Sequence, residues 1–356
     1  MPTEIRLAKD YTEARGRFLD AANAAGARLE RYEHPLTGPA GEALATDVAF
    51  IGAPDAPTRL LIISGTHGVE GFAGSLCQTE WLRAGASVPD ELSVVLVHAI
   101  NPYGFAWIRR VNEDNVDLNR NCIDFDAGLP ENAGYDQLAD ALVPSSWDEE
   151  TQQSTAGVLL DFAGEHGFDG LQDAVSKGQY RHPTGVFYGG NRPVWSQRTL
   201  EQIGRSEMVA ASRTGIIDLH TGLGPFGVGE LIGSHPAPEG RQRLDDWFGE
   251  YTIPSEGTSV SADVSGDVLD ALDVWVQSPE ITGVAIEWGT VDIIEVSNAL
   301  RGDAWLHARA DPRGPEAAPV KAALRAAFAP DDPQWAAMVW ERFTEVTAAA
   351  SDGLLA

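Results

Sequence analysis

His67 and Glu70 lie three residues apart in "SGTHGVEGF", directly behind the apolar run "RLLII" (Arg59–Ile63). On a turn or first helical turn such residues face one side, so an imidazole and a carboxylate can converge on one cation. Chance supplies roughly half of one such pair in a chain of this composition, so the pair needs partners to carry weight. His220 offers one: it ends the strand-like run "GIIDLH" and precedes glycines, where α/β sheets collect functional groups. Glu287 ends the apolar run of "VAIEWGT". A carboxylate there is costly to bury unless paired or used, and a dry cleft raises its proton affinity as suits a general base. "NPYGFAWIRRVNEDNVDLNRN" (Asn101–Asn121) adds Arg109, Arg110 and Arg120, whose guanidinium forks suit carboxylates. Each element also has an ordinary reading: a turn acid, a structural histidine, a strand-end salt-bridge partner, arginines paired with surface acids. Their combination argues for a metal site with a carboxylate base beside it.

The elements that must position these residues follow from hydrophobic periodicity. Apolar, β-branched runs at "RLLIIS", "LSVVLVHAI", "GIIDLH" and "GVAIEWG" suit strands buried on both faces. A shorter strand is expected around Asp47–Ile51. Helical spacing is read over Asp10–Tyr32 and Phe72–Arg83, with two C-terminal helices broken at Pro330 and Pro333. Strands alternating with helices predict an α/β fold, a central mixed, largely parallel twisted sheet with helices on both faces. Residues 123–208, rich in Gly, Pro, Asp and Gln, read as a peripheral insertion shaping the substrate pocket. The expectation is therefore a single domain over 1–356.

The chain carries 25 Lys and Arg against 53 Asp and Glu, a formal charge of −28. Such a field repels phosphate backbones and anionic lipid heads, arguing against nucleic-acid and membrane partners. Cys77 and Cys122 make no disulfide scaffold. "MPTEIRLAKDYTEARGRFLD" lacks the apolar core of a signal peptide, so a soluble, cytoplasmic protein is expected, its oligomeric state left open.

In order and wording, "HGVE", "NPYG", "RRVN", "DLNRN", "DLH" and "IEWG" resemble the motifs of the zinc carboxypeptidase (carboxypeptidase A-like) metallopeptidase superfamily, as a little-characterised bacterial branch of it. The resemblance spans roughly Thr58–Thr290; the ordered set and "DLNRN" are specific, single pieces are not. It implies Zn²⁺ held by His67, Glu70 and His220, with Glu287 as the base that activates water and returns the proton to the leaving amine. Arg110 would stabilise the oxyanion, or Arg109 if the register is off by one. Asn119 and Arg120 would grip a substrate carboxylate, with Asp117 orienting His67 from behind. The family's usual tyrosine is not matched: only Tyr251 occurs between Thr221 and Ile286, in an apparently helical context, and "TSVSADVSGD" (Thr258–Asp267) is the stretch available to fill its space. Tyr180, His182 and Tyr188 either line the pocket or order their loop.

The implied function is zinc-dependent hydrolysis of an amide or peptide bond adjacent to a free carboxylate, on a small peptide. An N-acyl amino acid deacylase like aspartoacylase or succinylglutamate desuccinylase is the alternative, and a catalytically inert binding protein on the same fold a weaker one. "GLGPFG" (Gly222–Gly227) satisfies a dinucleotide fingerprint, but Pro225 and Phe226 stand where a helix must open, and "GVGELIGSH" reads as a strand. No G-x-S-x-G elbow occurs.

Overall fold

The structure, a computed structural model, describes residues 5–208, 211–233 and 237–356. Seven strands form one sheet: β1 (Arg28–Thr37), β2 (Ala43–Gly52), β3 (Thr58–Ser64), β4 (Leu92–His98), β5 (Arg213–Phe226), β6 (Gly229–Gly233) and β7 (Glu280–Gly289). Their order is β1-β2-β4-β3-β5-β7-β6. The four central strands β4, β3, β5 and β7 run parallel, and β1, β2 and β6 attach antiparallel at the flanks. The fold is the expected mixed, centrally parallel α/β sheet.

Alternation along the central strands distributes two cores. Leu60, Ile62, Leu96, Ile217 and Ile286 pack with the helices Tyr11–Ala24, Gly71–Arg83 and Pro333–Leu355. Leu61, Ile63, Val97, Ile216 and Ala285 face the helices Trp195–Glu207 and Val268–Trp275 on the other side. A third, smaller cluster joins Ala133–Leu142, Glu149–Ser176 and Ile293–Arg309. Residues 123–208 thus contribute three of these helices and two of the three clusters.

Two local expectations give way. The first helix stops at Ala24, because Gly26 takes a left-handed φ of 71° and the chain turns back as β1. The helical spacing read through Tyr32 is overridden there by antiparallel pairing of Arg28–Glu33 with Ala45–Phe50. "GLGPFG" opens no helix: β5 continues through it to Phe226. The strand expected in "GVGELIGSH" is β6, and its last two residues lie outside the described residues.

Strand β3 passes to β4 on one side and has β5 on the other, so the chain reverses direction of winding beside it. Open α/β sheets form their crevices at the carboxyl edge of such a point. "HGVE" and "NPYG" follow the carboxyl ends of β3 and β4, and His220 and Glu287 lie paired inside β5 and β7, His220 one residue past the last β5 partner of β3.

Candidate metal centre

β3 ends at Ser64, and the chain bends through Gly65 at φ 68° into a short 3-10 turn, Gly68–Glu70, that starts the helix Gly71–Arg83. This bend puts His67 and Glu70 side by side, His67 Nδ1 lying 3.0 Å from Glu70 Oε1. Backbone bonds hold the turn against the arginine segment: Gly68 N–H donates to Arg110 O at 3.0 Å and Val69 N–H to Arg109 O at 2.8 Å. Gly68 must be glycine for this approach, since a Cβ would lie 2.1 Å from the Gly104 carbonyl carbon.

His220 arrives from β5. Its Nδ1 lies 3.0 Å from Glu70 Oε2 and 3.2 Å from His67 Nδ1. The ligand atoms of His67, Glu70 and His220 all fall within 4.8 Å of one another, and all three side chains are buried. The parallel register pairs His220 with Glu287 across β5 and β7, so both side chains leave the same face at the same height.

The histidines' outer nitrogens are also engaged. His67 Nε2 faces Asp117 Oδ1 at 3.3 Å and His220 Nε2 faces Asp218 Oδ2 at 2.8 Å. A carboxylate behind each ring fixes the Nε2–H tautomer and leaves a lone pair on each inward Nδ1. Asp218 in turn accepts from the Thr66 hydroxyl at 2.8 Å, and Asp117 accepts from Arg110 Nε at 2.9 Å and Asn119 N–H at 3.0 Å. Within ion-pair distance, Glu70 and Asp117 share the guanidinium of Arg110, while Asp218 faces His220. Two inward imidazole nitrogens and one carboxylate, backed by further carboxylates, fit a divalent cation.

Protonation tendencies follow. Burial raises Glu70's pKa, but His67 and His220 outweigh it and hold it at about 2. Burial also works against the charged form of His220, yet Asp218 and Glu70 raise its pKa well above the ordinary value. The cluster by itself asks for positive charge. Asp117 is desolvated too, and Arg110, His67 and Arg120 hold it well below the carboxylate range. Glu287 moves the opposite way: burial first, then the charge of Glu70, push it up to about 7. Its Oε1 accepts the Leu223 N–H at 2.9 Å.

The arginines separate. Arg110 Nη1 reaches Glu70 Oε1 at 3.2 Å, and its guanidinium lies 5.3 Å from the Phe187 ring. Arg109 turns away: Nε pairs with Asp303 at 2.9 Å and Nη2 with Asn115 at 2.8 Å, in a buried cluster that also holds Lys321. Arg109 as a substrate-binding or oxyanion residue is therefore corrected, because its ion pair removes it from the cavity that His67, Arg110, Asn119, Arg120, His220 and Glu287 line. Arg120 donates to the carbonyls of Ser176 and Asn119, lies 5.6 Å from the Phe187 ring, and has no salt-bridge partner among the described residues.

Tyr180 and His182 order their loop: the Tyr180 hydroxyl donates to Arg120 O at 2.6 Å, and His182 Nε2 lies 2.7 Å from Asp136. Tyr188 is buried in the second core cluster. Tyr251 is not helical; it follows the helix Pro238–Phe248 and lines a separate cleft beside β6. Part of "TSVSADVSGD", from Ser261 to Val264 and at Asp267, lines the cavity. Asp218 and Phe187 were missed from the sequence. Asp218 was findable, since residues two apart on a strand share a face and "DLH" places a carboxylate beside the ligand histidine. Nothing local marked Phe187.

A centrally parallel α/β sheet with a His–Glu–His cluster at its carboxyl edge defines the class. The chain belongs to the family described as protein of unknown function (DUF2817), whose model matches residues 7–342. Solved structures similar to it include the carboxypeptidase A of Helicoverpa armigera, at TM-score 0.47 and 13% identity over 91% of this chain and 75% of that one. A metallo-carboxypeptidase from Pseudomonas aeruginosa is similar at TM-score 0.43 and 15% identity, over 96% and 68%. The succinylglutamate desuccinylase/aspartoacylase of Rhodobacter sphaeroides is similar at TM-score 0.37 and 14% identity, over 79% and 63%. No curated protein matches.

Proposed function

We propose that this protein is a zinc-dependent hydrolase that cleaves an amide bond adjacent to a free carboxylate, in the manner of a carboxypeptidase. The observation that carries the reading is the convergence of His67 Nδ1, Glu70 and His220 Nδ1, with a carboxylate behind each imidazole. These three residues would hold the zinc. When bound, zinc supplies Lewis acidity, lowering the pKa of water and polarising a carbonyl oxygen.

The remaining residues supply proton transfer and grip. Glu287 accepts a proton from the attacking water and passes it to the amine nitrogen as the C–N bond breaks. Arg110 has Nε on Asp117 and Nη1 on Glu70, which leaves Nη2 as the donor for the negative charge developing on the carbonyl oxygen. Asn119 and Arg120 take the substrate carboxylate; Arg120's buried charge lacks an anionic partner at salt-bridge distance among the described residues. A small peptide supplies such a carboxylate, and so does an N-acyl amino acid. The cavity of about 840 Å³, larger and more apolar than a dipeptide needs, supports the second.

The test is elemental analysis of the purified protein together with Glu287→Gln. About one zinc per chain is expected in both proteins, with hydrolysis of amide substrates lost only in the variant. Absence of zinc, or full activity in Glu287→Gln, would overturn the mechanism.

A further inference from the structure

The cavity that the cluster and the arginines line has a further wall that the chemistry above does not use. Helix Glu149–Ser176 and helix Ile293–Arg309 supply it, with Leu159, Leu171, Val175 and Leu300 among its side chains. These four are among the partly buried members of the third hydrophobic cluster, so that cluster is left incompletely covered on its cavity side. Phe187 belongs to the same cluster and lies within 5.6 Å of both the Arg110 and Arg120 guanidiniums, joining the apolar wall to the polar end. At the mouth, Leu160, Phe168 and Ile294 also line the cavity and are 62%, 74% and 69% exposed. Uncovered apolar surface continuous with a reactive centre is stabilised by an apolar occupant.

Two of this wall's polar side chains are already engaged. Arg301 donates to the carbonyls of Ala141 and Leu142 and to the Thr155 hydroxyl, and Gln172 donates to Val260 O. Apart from the break at Gly167, where φ is 81°, the wall is helical and its backbone N–H and C=O groups are bonded within the helices. An extended peptide laid there would bury amides without partners, at a cost that an alkyl chain does not incur.

We propose that this arm binds an extended alkyl chain, so that the preferred substrates are amino acids N-acylated with a medium or long fatty acyl group. Asn119 and Arg120 hold the amino acid's carboxylate, the amide lies at the His67–Glu70–His220 cluster, and the acyl chain runs along Leu159, Leu171 and Leu300. Water adds to the acyl carbon, the C–N bond breaks, and a fatty acid and a free amino acid leave. This inference rests on the hydrolase reading.

The experiment measures kcat/KM of the zinc-loaded protein on N-acyl glutamates from acetyl through butanoyl, hexanoyl and octanoyl to decanoyl. A rise of about fourfold per methylene is expected until the arm is filled, the factor equivalent to about 0.8 kcal/mol per buried CH₂. Leu160→Ser and Ile294→Ser, at exposed positions where folding is not at stake, should flatten that slope; Leu129→Ser, exposed and outside the cavity wall, should not. Hydrolysis that is indifferent to chain length, or fastest on acetyl, overturns the alkyl arm and leaves the hydrolase reading standing. If no amide is cleaved, the hydrolase reading fails instead, and calorimetric titration of Glu287→Gln decides the arm alone. Tighter binding of N-decanoyl than of N-acetyl glutamate supports it, and equal affinity overturns it.

Discussion

Asp218 stands behind His220 as Asp117 stands behind His67 in the candidate metal cluster. It and Asp117 hold the outer nitrogens of His220 and His67, and removing such a partner leaves the ring free to rotate or change tautomer. Asp218→Asn is expected to weaken metal affinity by about 10–100-fold, read by competition with a chromophoric chelator, with the fold retained. Arg110 and Arg109 make a second comparison. Arg110→Ala should lower kcat by about 10²–10³ through loss of the oxyanion donor. Arg109→Ala should instead lower stability by about 1–3 kcal/mol, measured by denaturant unfolding, because it removes one of the two cations on buried Asp303 and the bond to Asn115. Activity loss of equal size in both variants at unchanged stability would show that the two had been assigned the wrong way round.

At the scale of elements, the turn between β3 and the helix Gly71–Arg83 is the least tolerant piece of backbone. It lies against the short helix Pro102–Ala106, and Gly68 meets the Gly104 backbone with no room for a methyl group. Gly68→Ala is expected to cost about 1–3 kcal/mol of stability by overpacking and to reduce zinc content, because the turn can yield only by shifting His67 and Glu70. Thermal unfolding and elemental analysis read the two effects. Zinc content at the wild-type level would mean that the helix Pro102–Ala106 moves instead. Much of this layer was legible: the apolar strand runs follow from hydrophobic period, and the H-x-x-E turn and the order of the motifs from the family resemblance. β1 was not, since its residues read as a continuation of the first helix until β2 offers a pairing edge.

Over the whole molecule, the metal and the proton compete for the same cluster. Metal-free, Glu287 has its pKa raised from 4.5 to about 7, so its stability contribution is full below about 4.5 and is lost as pH rises toward about 7. His220 has the same sign: its raised pKa gives stability present below its ordinary value and lost as pH climbs through the higher one. Zinc binding requires neutral imidazoles and stabilises in proportion to ligand deprotonation. The melting temperatures of zinc-loaded and chelated protein should therefore diverge as pH rises from about 5 to about 7.5. A gap that narrows over that range would contradict the assignment of His67 and His220 as ligands. A bound cation also favours ionised Glu287, so kcat/KM should rise with pH along an acid limb with a midpoint below about 7. No helix among the described residues is long and apolar enough to cross a membrane.

Residue type and spacing along the chain by themselves determined the kinds of group at the centre, imidazole, carboxylate and guanidinium, and the strand ends that carry them. They did so because strand period, turn chemistry and the motif wording are local. Only the tertiary structure decided which arginine faces the cluster, that a second aspartate stands behind His220, and that an apolar wall from distant helices borders the cavity. Those outcomes depend on where side chains point after long-range packing. Arg109 and Arg110 are neighbours in sequence, yet Asp303, nearly two hundred residues away, draws one of them out of the site.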